Sequence, residues 1–96
     1  MSPKPLKVYG WGGCRSGVQT REIVAARSMA EAARLSGHRS PREMWNMCET
    51  GNAIEIAIAM YYHARGCVCW RPLDEYDPLA WKRDPLRAPG TNPAAR

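Results

Sequence analysis

The chain has 96 residues, 45% of them hydrophobic, and a formal net charge of +5, which allows one domain with a small core. Met1 to Tyr9 contains no long apolar run, and no later stretch is long enough to span a bilayer. We therefore expect no secretory signal, no membrane segment and a cytoplasmic location. We also expect the four cysteines to be thiols rather than a disulfide framework.

A β-hairpin is predicted at the beginning of the chain. Residues 6–11 alternate as a first strand, and residues 20–27 form a second strand. Residues 10–19 contain four glycines around Cys14. This composition predicts a long flexible loop whose backbone amides can face a ligand.

Three consecutive helices are predicted in the middle of the chain. Each predicted start has an N-capping residue followed three positions later by glutamate: Ser28 with Glu31, Ser40 with Glu43, and Asn52 with Glu55. Gly37 and Gly66 supply C-terminal stop signals for the first and third helices. The third helix, over residues 53–65, is apolar around most of its circumference, so it lies centrally in the core or is shared with a partner. Its alternating residues 54, 56, 58 and 60 also fit a strand, and length and end signals favour the helix.

The predicted fold is α+β, in the order β-β-α-α-α-β. Residues 67–71 form the third strand, which Pro72 ends. The sheet is antiparallel with about three strands, and the helices pack on one face. The domain spans residues 6–83, between flexible tails at residues 1–5 and 84–96, the second of which is rich in proline.

No complete catalytic or cofactor motif is present, so we expect a protein that is not an enzyme and binds no cofactor. The loop around Cys14 superficially resembles that of a cysteine phosphatase. Such an enzyme needs an arginine six positions after its nucleophile, where this chain has Thr20, and Arg21 lies one position too far. The spacing of a nucleotide-binding P-loop also fails.

Cys48, His63, Cys67 and Cys69 permit a zinc site, and buried thiols in the core are the competing interpretation. Cys-x-Cys on a strand places both sulfurs on one face but lacks the tight turn that a tetrahedral metal favours. Free cysteine is also among the most buried residue types. We predict that the chain binds no metal, with a zinc site at these four residues as the open alternative.

Residues 28–48 also permit a helix-turn-helix interpretation. Ala33 and Gly37 have the spacing that such motifs favour, whereas Glu43 replaces the expected buried aliphatic residue. Arg39 and Arg42 would then begin the recognition helix. A small DNA- or RNA-binding regulator is therefore the alternative function.

Four tryptophans and four tyrosines, with no phenylalanine, give this chain many aromatic side chains with a polar group. Such residues are enriched at protein interfaces, and arginine is another common contact anchor. We therefore predict a partner-binding surface that includes Trp11, Arg15, Arg39, Arg42, Trp45, Tyr62 and Arg65.

Five segments carry a resemblance to known proteins: Tyr9-Gly-Trp11, Thr20-Arg-Glu-Ile-Val-Ala-Ala26, Ala30-Glu-Ala-Ala-Arg34, Cys48-Glu-Thr-Gly-Asn52 and Trp70-Arg-Pro-Leu-Asp74. Over about residues 6–74 the chain resembles small phage- and prophage-encoded proteins of unassigned function. The resemblance implies an accessory protein that blocks a host factor, as anti-CRISPR and other counter-defence inhibitors do. Its partner would be a host protein or nucleoprotein complex, with nucleic-acid contact and a homodimer left open.

Overall fold

A computed structural model describes residues 5–85 of the chain. In chain order the elements are β1 (Lys7–Arg15), β2 (Val18–Ala26), α1 (Met29–Leu35), a 3-10 helix (Pro41–Glu43), β3 (Trp45–Glu49), α2 (Ala53–His63), β4 (Cys67–Pro72), a second 3-10 helix (Pro78–Ala80) and β5 (Lys82–Pro85). The strands form one sheet in the order β3-β1-β2-β4-β5, with every neighbouring pair antiparallel.

The fold is α+β, but the predicted three strands and three helices are wrong, because the described residues form five strands and two helices. The error begins at Ser40, where the predicted second helix is a 3-10 turn that leads into β3. β3 pairs with β1, with a register shift near Asn46, which has a φ of 54°. The free edge of β1 offers this segment ladder hydrogen bonds, and tertiary pairing overrides the local helix signals.

The glycine-rich segment is part of the hairpin rather than a flexible loop. β1 continues through it to Arg15, and the turn consists of Ser16 and Gly17, with φ values of 51° and 81°. Positive φ at both central residues is the type I′ geometry that suits the twist of a hairpin. The backbone amides of this segment are therefore used mainly in strand pairing.

The two helices pack on opposite faces of the sheet, and the prediction of helices on one face is wrong. One face carries a core cluster from β1, β2, α1 and β4 that includes Trp11, Val24 and Ala33. The other face carries a cluster in which Ile23 packs with Ala59 of α2. We call these the α1 face and the α2 face. Because alternate strand residues point to opposite sides, β2 contributes to both.

Helix α2 confirms the helical interpretation of its segment and the predicted cap. The side chain of Asn52 accepts a hydrogen bond from the backbone N–H of Glu55 at 3.0 Å. Only Glu55 and Ala59 of this helix are buried. Ile54 and Tyr61 are more than half exposed, so part of the apolar circumference of α2 faces outward.

The predicted tails are only partly within the described residues. Asp84 and Pro85 belong to β5 instead of a flexible tail, because β5 pairs with β4. Residues 1–4 and 86–96 of the predicted tails lie outside the described residues.

We predict that Gly13→Ala destabilises the fold by about 1–3 kcal/mol, the usual cost of overpacking. A Cβ at position 13 would lie 2.5 Å from Oε2 of Glu22 and 2.9 Å from Oγ1 of Thr20, and both of these residues are buried. Urea unfolding measures the loss. Gly51→Ala is the control, since its Cβ meets nothing within 4 Å. Equal stability of the two variants would contradict the expectation.

Candidate partner-binding surface

Adjacent residues of β2 make ion pairs on opposite faces of the sheet. On the α1 face, Glu22 is 1% exposed and accepts two hydrogen bonds from Arg15, at 3.1 and 3.2 Å. Thr20 donates a third from its hydroxyl at 2.8 Å. Arg15 also pairs with Asp84 of β5, so one guanidinium links the hairpin to an edge strand. A buried carboxylate is tolerated only with such partners.

On the α2 face, Arg21 pairs with Glu55 at the beginning of α2. Two hydrogen bonds of 2.9 Å join the guanidinium to the carboxylate, and the hydroxyl of Thr50 donates another at 2.7 Å. The hydrogen bonds from Arg21 are the main cause that lowers the pKa of Glu55 below its usual 4.5. This pair fixes the beginning of α2 to the centre of the sheet.

Arg71 of β4 holds the connection that follows the strand. Its Nη1 donates to the carbonyl oxygens of Pro72, Leu73 and Glu75 at 2.8 to 3.1 Å. The guanidinium also lies 5.4 Å from the ring centre of Tyr76 and 5.2 Å from that of Trp81. The connection is therefore fixed by one cation, although most of its side chains are exposed.

Exposed apolar side chains gather where this connection meets the β1–β2 turn and β3. Trp45 is 70% exposed, Tyr76 81%, Val18 49% and Leu73 42%. Leu73 lies between two open recesses of about 390 and 320 Å³, one lined by Val18 and Tyr76 and the other by Trp45. We call these four residues and the recesses between them the Leu73 surface.

The position of Trp45 depends on a glycine beneath it. A Cβ at Gly12 would lie 2.5 Å from Cε3 of Trp45, so the indole rests directly on the backbone of β1. Large rigid aromatic side chains that are exposed in this way are frequent anchors in protein interfaces.

The structure divides the predicted partner-binding residues into three groups. Trp11 is 1% exposed and lies in the core of the α1 face, so its indole does not reach the surface. Arg15 is held by ion pairs with Glu22 and Asp84, and its guanidinium lies 4.5 Å from the centre of the Trp70 ring. These two predicted contact residues therefore stabilise the interior of the domain.

The second group is Arg39, Arg42 and Trp45, which lie close together along the chain and are all exposed. The third is at the C-terminal end of α2, where Arg65 lies 3.7 Å from the ring centre of Tyr61 and Tyr62 packs against the core. The predicted residues do not form one site. Trp45 alone among them belongs to the Leu73 surface.

The sequence pattern did not indicate Val18, Leu73 or Tyr76 as contact residues. Leu73 and Tyr76 lie in a segment without periodicity, and an isolated apolar residue in such a segment is equally compatible with a core position. The Arg71-Pro72 pair did indicate where the strand before this connection ends, because proline terminates a strand. The residues that Arg71 would hold were not evident from the sequence.

The helix-turn-helix interpretation is wrong, because its second helix is a 3-10 turn followed by β3. Arg39 and Arg42 therefore do not begin a recognition helix. Within the described residues, α1 is the only helix of the predicted motif that forms. That part of the chain therefore lacks the second helix that would enter a major groove.

The cysteines and His63 do not converge. Cys48 pairs with Gly10, Gly10 with Ile23, and Ile23 with Cys69, so three strand spacings, about 14 Å, separate the two cysteines. Residues 5–85 contain no group of three side chains suited to a metal ion. Burial raises the pKa of Cys69 to about 12, which keeps that thiol protonated.

Comparison with protein families, curated proteins and solved structures finds no significant match. Between residues 5 and 85, neither helix combines the length and apolar character that crossing a membrane requires.

His38 is a buried titratable group whose Nδ1 lies 3.8 Å from Oε1 of Glu43, a residue that lines the recess beside Trp45. It is 2% exposed, its ring packs edge-on against Trp11, and neither ring nitrogen has a hydrogen-bond partner among the described residues. Burial lowers the pKa of His38 below its usual 6.5, and the nearby charges of Glu22 and Glu43 oppose this shift only in part.

We predict that stability falls as the pH drops below about 6.5, because the unfolded chain then binds a proton that folded His38 resists. The contribution of neutral His38 to stability is complete above the pKa of this histidine in the unfolded chain. It is lost as the pH falls toward the lower pKa of His38 in the folded protein. Urea unfolding at pH 7.5 and 5.5 measures the loss, and His38→Phe should reduce it. The pKa of Glu55 is lowered from 4.5, so the stability that this carboxylate contributes is lost at a more acidic pH than the contribution of His38. An unchanged pH dependence in His38→Phe would contradict this assignment.

Proposed function

We propose that this chain is a non-enzymatic binding protein of phage type, which acts in the host cytoplasm by covering a functional surface of a host protein with its Leu73 surface. The observation that carries the proposal is the exposure of Trp45, Leu73, Tyr76 and Val18 in one region. Exposed apolar side chains that cluster in this way are typical of protein-interaction sites.

The way in which the surface is held also supports the proposal. Arg71 fixes the connection through three carbonyl groups, and Gly12 lets the indole of Trp45 lie against the sheet. A surface that is ordered before binding loses less conformational entropy when it associates. Such a surface suits a small protein that acts by occupying its target.

The choice of a host factor as partner comes from the resemblance to phage proteins, and an anti-CRISPR role on a nucleic-acid-handling defence complex is its most specific form. Direct binding to nucleic acid has less support. Arg15 and Arg21 are held by carboxylates, and Arg71 is held by carbonyl oxygens. Three of the 14 basic residues, Lys4, Arg87 and Arg96, lie outside the described residues.

The test is capture from nuclease-treated bacterial lysate on the immobilised full chain, followed by identification of the retained protein and calorimetry with the purified pair. We predict that Trp45→Ser and Leu73→Ser each weaken binding by about tenfold or more, the size expected for an interface anchor. Tyr61→Ser is the matched control, because Tyr61 is 53% exposed but lies on α2. Circular dichroism checks that each variant is folded.

Three outcomes would contradict the proposal. The first is a lysate that yields only background on the wild-type chain. The second is equal binding by Trp45→Ser, Leu73→Ser and Tyr61→Ser. The third is a homodimer, measured by light scattering, that Trp45→Ser abolishes, because the Leu73 surface would then be occupied by a second copy.

A further inference from the structure

Each recess of the Leu73 surface is lined by apolar side chains and one carboxylate, together with the polar side chain of Gln19. The recess lined by Val18, Leu73 and Tyr76 also contains Asp74. The recess lined by Trp45 and Leu73 also contains Glu43. Neither lining includes a lysine or an arginine within the described part of the chain.

The two carboxylates are not neutralised by a basic side chain. Among residues 5–85, neither Asp74 nor Glu43 forms an ion pair with lysine or arginine. Glu43 accepts the backbone N–H of Arg39, and Nδ1 of His38 lies 3.8 Å from the same oxygen. Burial lowers the pKa of His38, so its ring is neutral at pH 7 and leaves the charge of Glu43 in place.

The surrounding connection adds charge of the same sign. Glu75 and Asp77 are exposed and form no ion pair among the described residues. The nearest cation along this connection, Arg71, is directed to three backbone carbonyl groups. Three carboxylates against the one cation Arg71 thus make the connection side of the Leu73 surface locally acidic, in a chain whose formal net charge is +5. On the other side, the exposed Arg39 and Arg42 lie near Glu43 and Trp45 along the chain.

A recess that offers both apolar side chains and a carboxylate matches the chemistry of a basic side chain. The aliphatic stems of lysine and arginine pack on apolar surface while their charged ends stay near water or an anion. The exposed indole of Trp45 also attracts a cation over its face. A purely apolar occupant would instead cover the two carboxylates without neutralising their charge, which is unfavourable.

We propose that the Leu73 surface binds a basic segment of a partner protein, with one lysine or arginine side chain in each of its two recesses. The inference rests on the proposed function and names the chemistry of the partner at the same site. Complementary charge of this kind selects partners and raises association rates more than it raises affinity.

The experiment titrates the 15N-labelled full chain with three capped tripeptides of the form X-Ala-X, where X is lysine, norleucine or glutamate. The reporters are the indole N–H of Trp45 and the backbone N–H of Leu73. We expect the lysine peptide to shift both signals and to bind about fivefold more tightly than the norleucine peptide, which has a similar stem without the charge. The glutamate peptide should leave both signals unchanged.

The double variant Glu43→Gln, Asp74→Asn should remove the preference for lysine over norleucine, while glutamine still accepts the backbone N–H of Arg39. Glu49→Gln is the control, because Glu49 is an exposed carboxylate on β3 that pairs with Lys7. Equal binding of the lysine and norleucine peptides overturns the inference. So does a lysine preference that survives in the double variant, or the absence of any shift with lysine peptide at about 10 mM.

Failure of this inference is distinguishable from failure of the proposed function. A captured host protein that depends on Trp45 and Leu73, combined with no lysine preference, removes the basic partner and keeps the binding role. A lysine preference without any captured protein keeps the chemistry of the surface and removes the proposed host target.

Discussion

The fold depends on two ion pairs that begin from neighbouring residues of one central strand. Arg21 and Glu22 point to opposite faces of β2, where they meet Glu55 and Arg15 respectively. A slip of one residue would exchange their faces and place each charge opposite apolar side chains. Because a buried charge without its partner costs about 3–5 kcal/mol, these two pairs strongly favour one register of β2.

The ion pairs also determine where the rest of the chain is fixed. Arg15 reaches Asp84 and thereby connects the hairpin to β5, while Glu55 attaches the beginning of α2 to the other face. Polar groups consequently occupy part of both faces of a small sheet. The apolar side chains of the Leu73 surface belong to neither core cluster and remain exposed. The interior gives this domain its shape, and the remaining apolar surface is available for binding.

Elements with strong local end signals were predictable from the sequence. Helix α2 begins at Ala53 after the Asn52 cap, as the capping pattern indicated, and β4 begins at Cys67. The segment after Ser40 was not predictable in this way. Its cap, proline and glutamate favour a helix, but the open edge of β1 provides pairing that no local pattern records. β5 was missed for a similar reason, since its residues Lys82–Pro85 have no strand pattern of their own and it forms by pairing with β4.

The candidate site was also predictable from the sequence only in part. Trp45 was predicted as a contact residue from its type, and it is exposed. Trp11 was predicted on the same grounds but fills the α1 face, because residue type alone does not distinguish an interface aromatic from a core aromatic. Leu73 and Tyr76 become recognisable only when the hydrogen bonds of Arg71 are known. The glycines near Cys14 suggested a ligand loop, whereas Gly12 provides space for the indole of Trp45.

The role of the ion pairs in β2 is tested most directly by a double-mutant cycle on Arg15 and Glu22, measured by urea unfolding at pH 7. It comprises Arg15→Met, Glu22→Met and the double variant, with the exposed pair Lys7 and Glu49 as a parallel cycle. We predict losses of about 3–5 kcal/mol for each single variant and a double variant that loses much less than their sum. Small, additive losses like those of the exposed pair would show that this pair does not determine the register of the central strand.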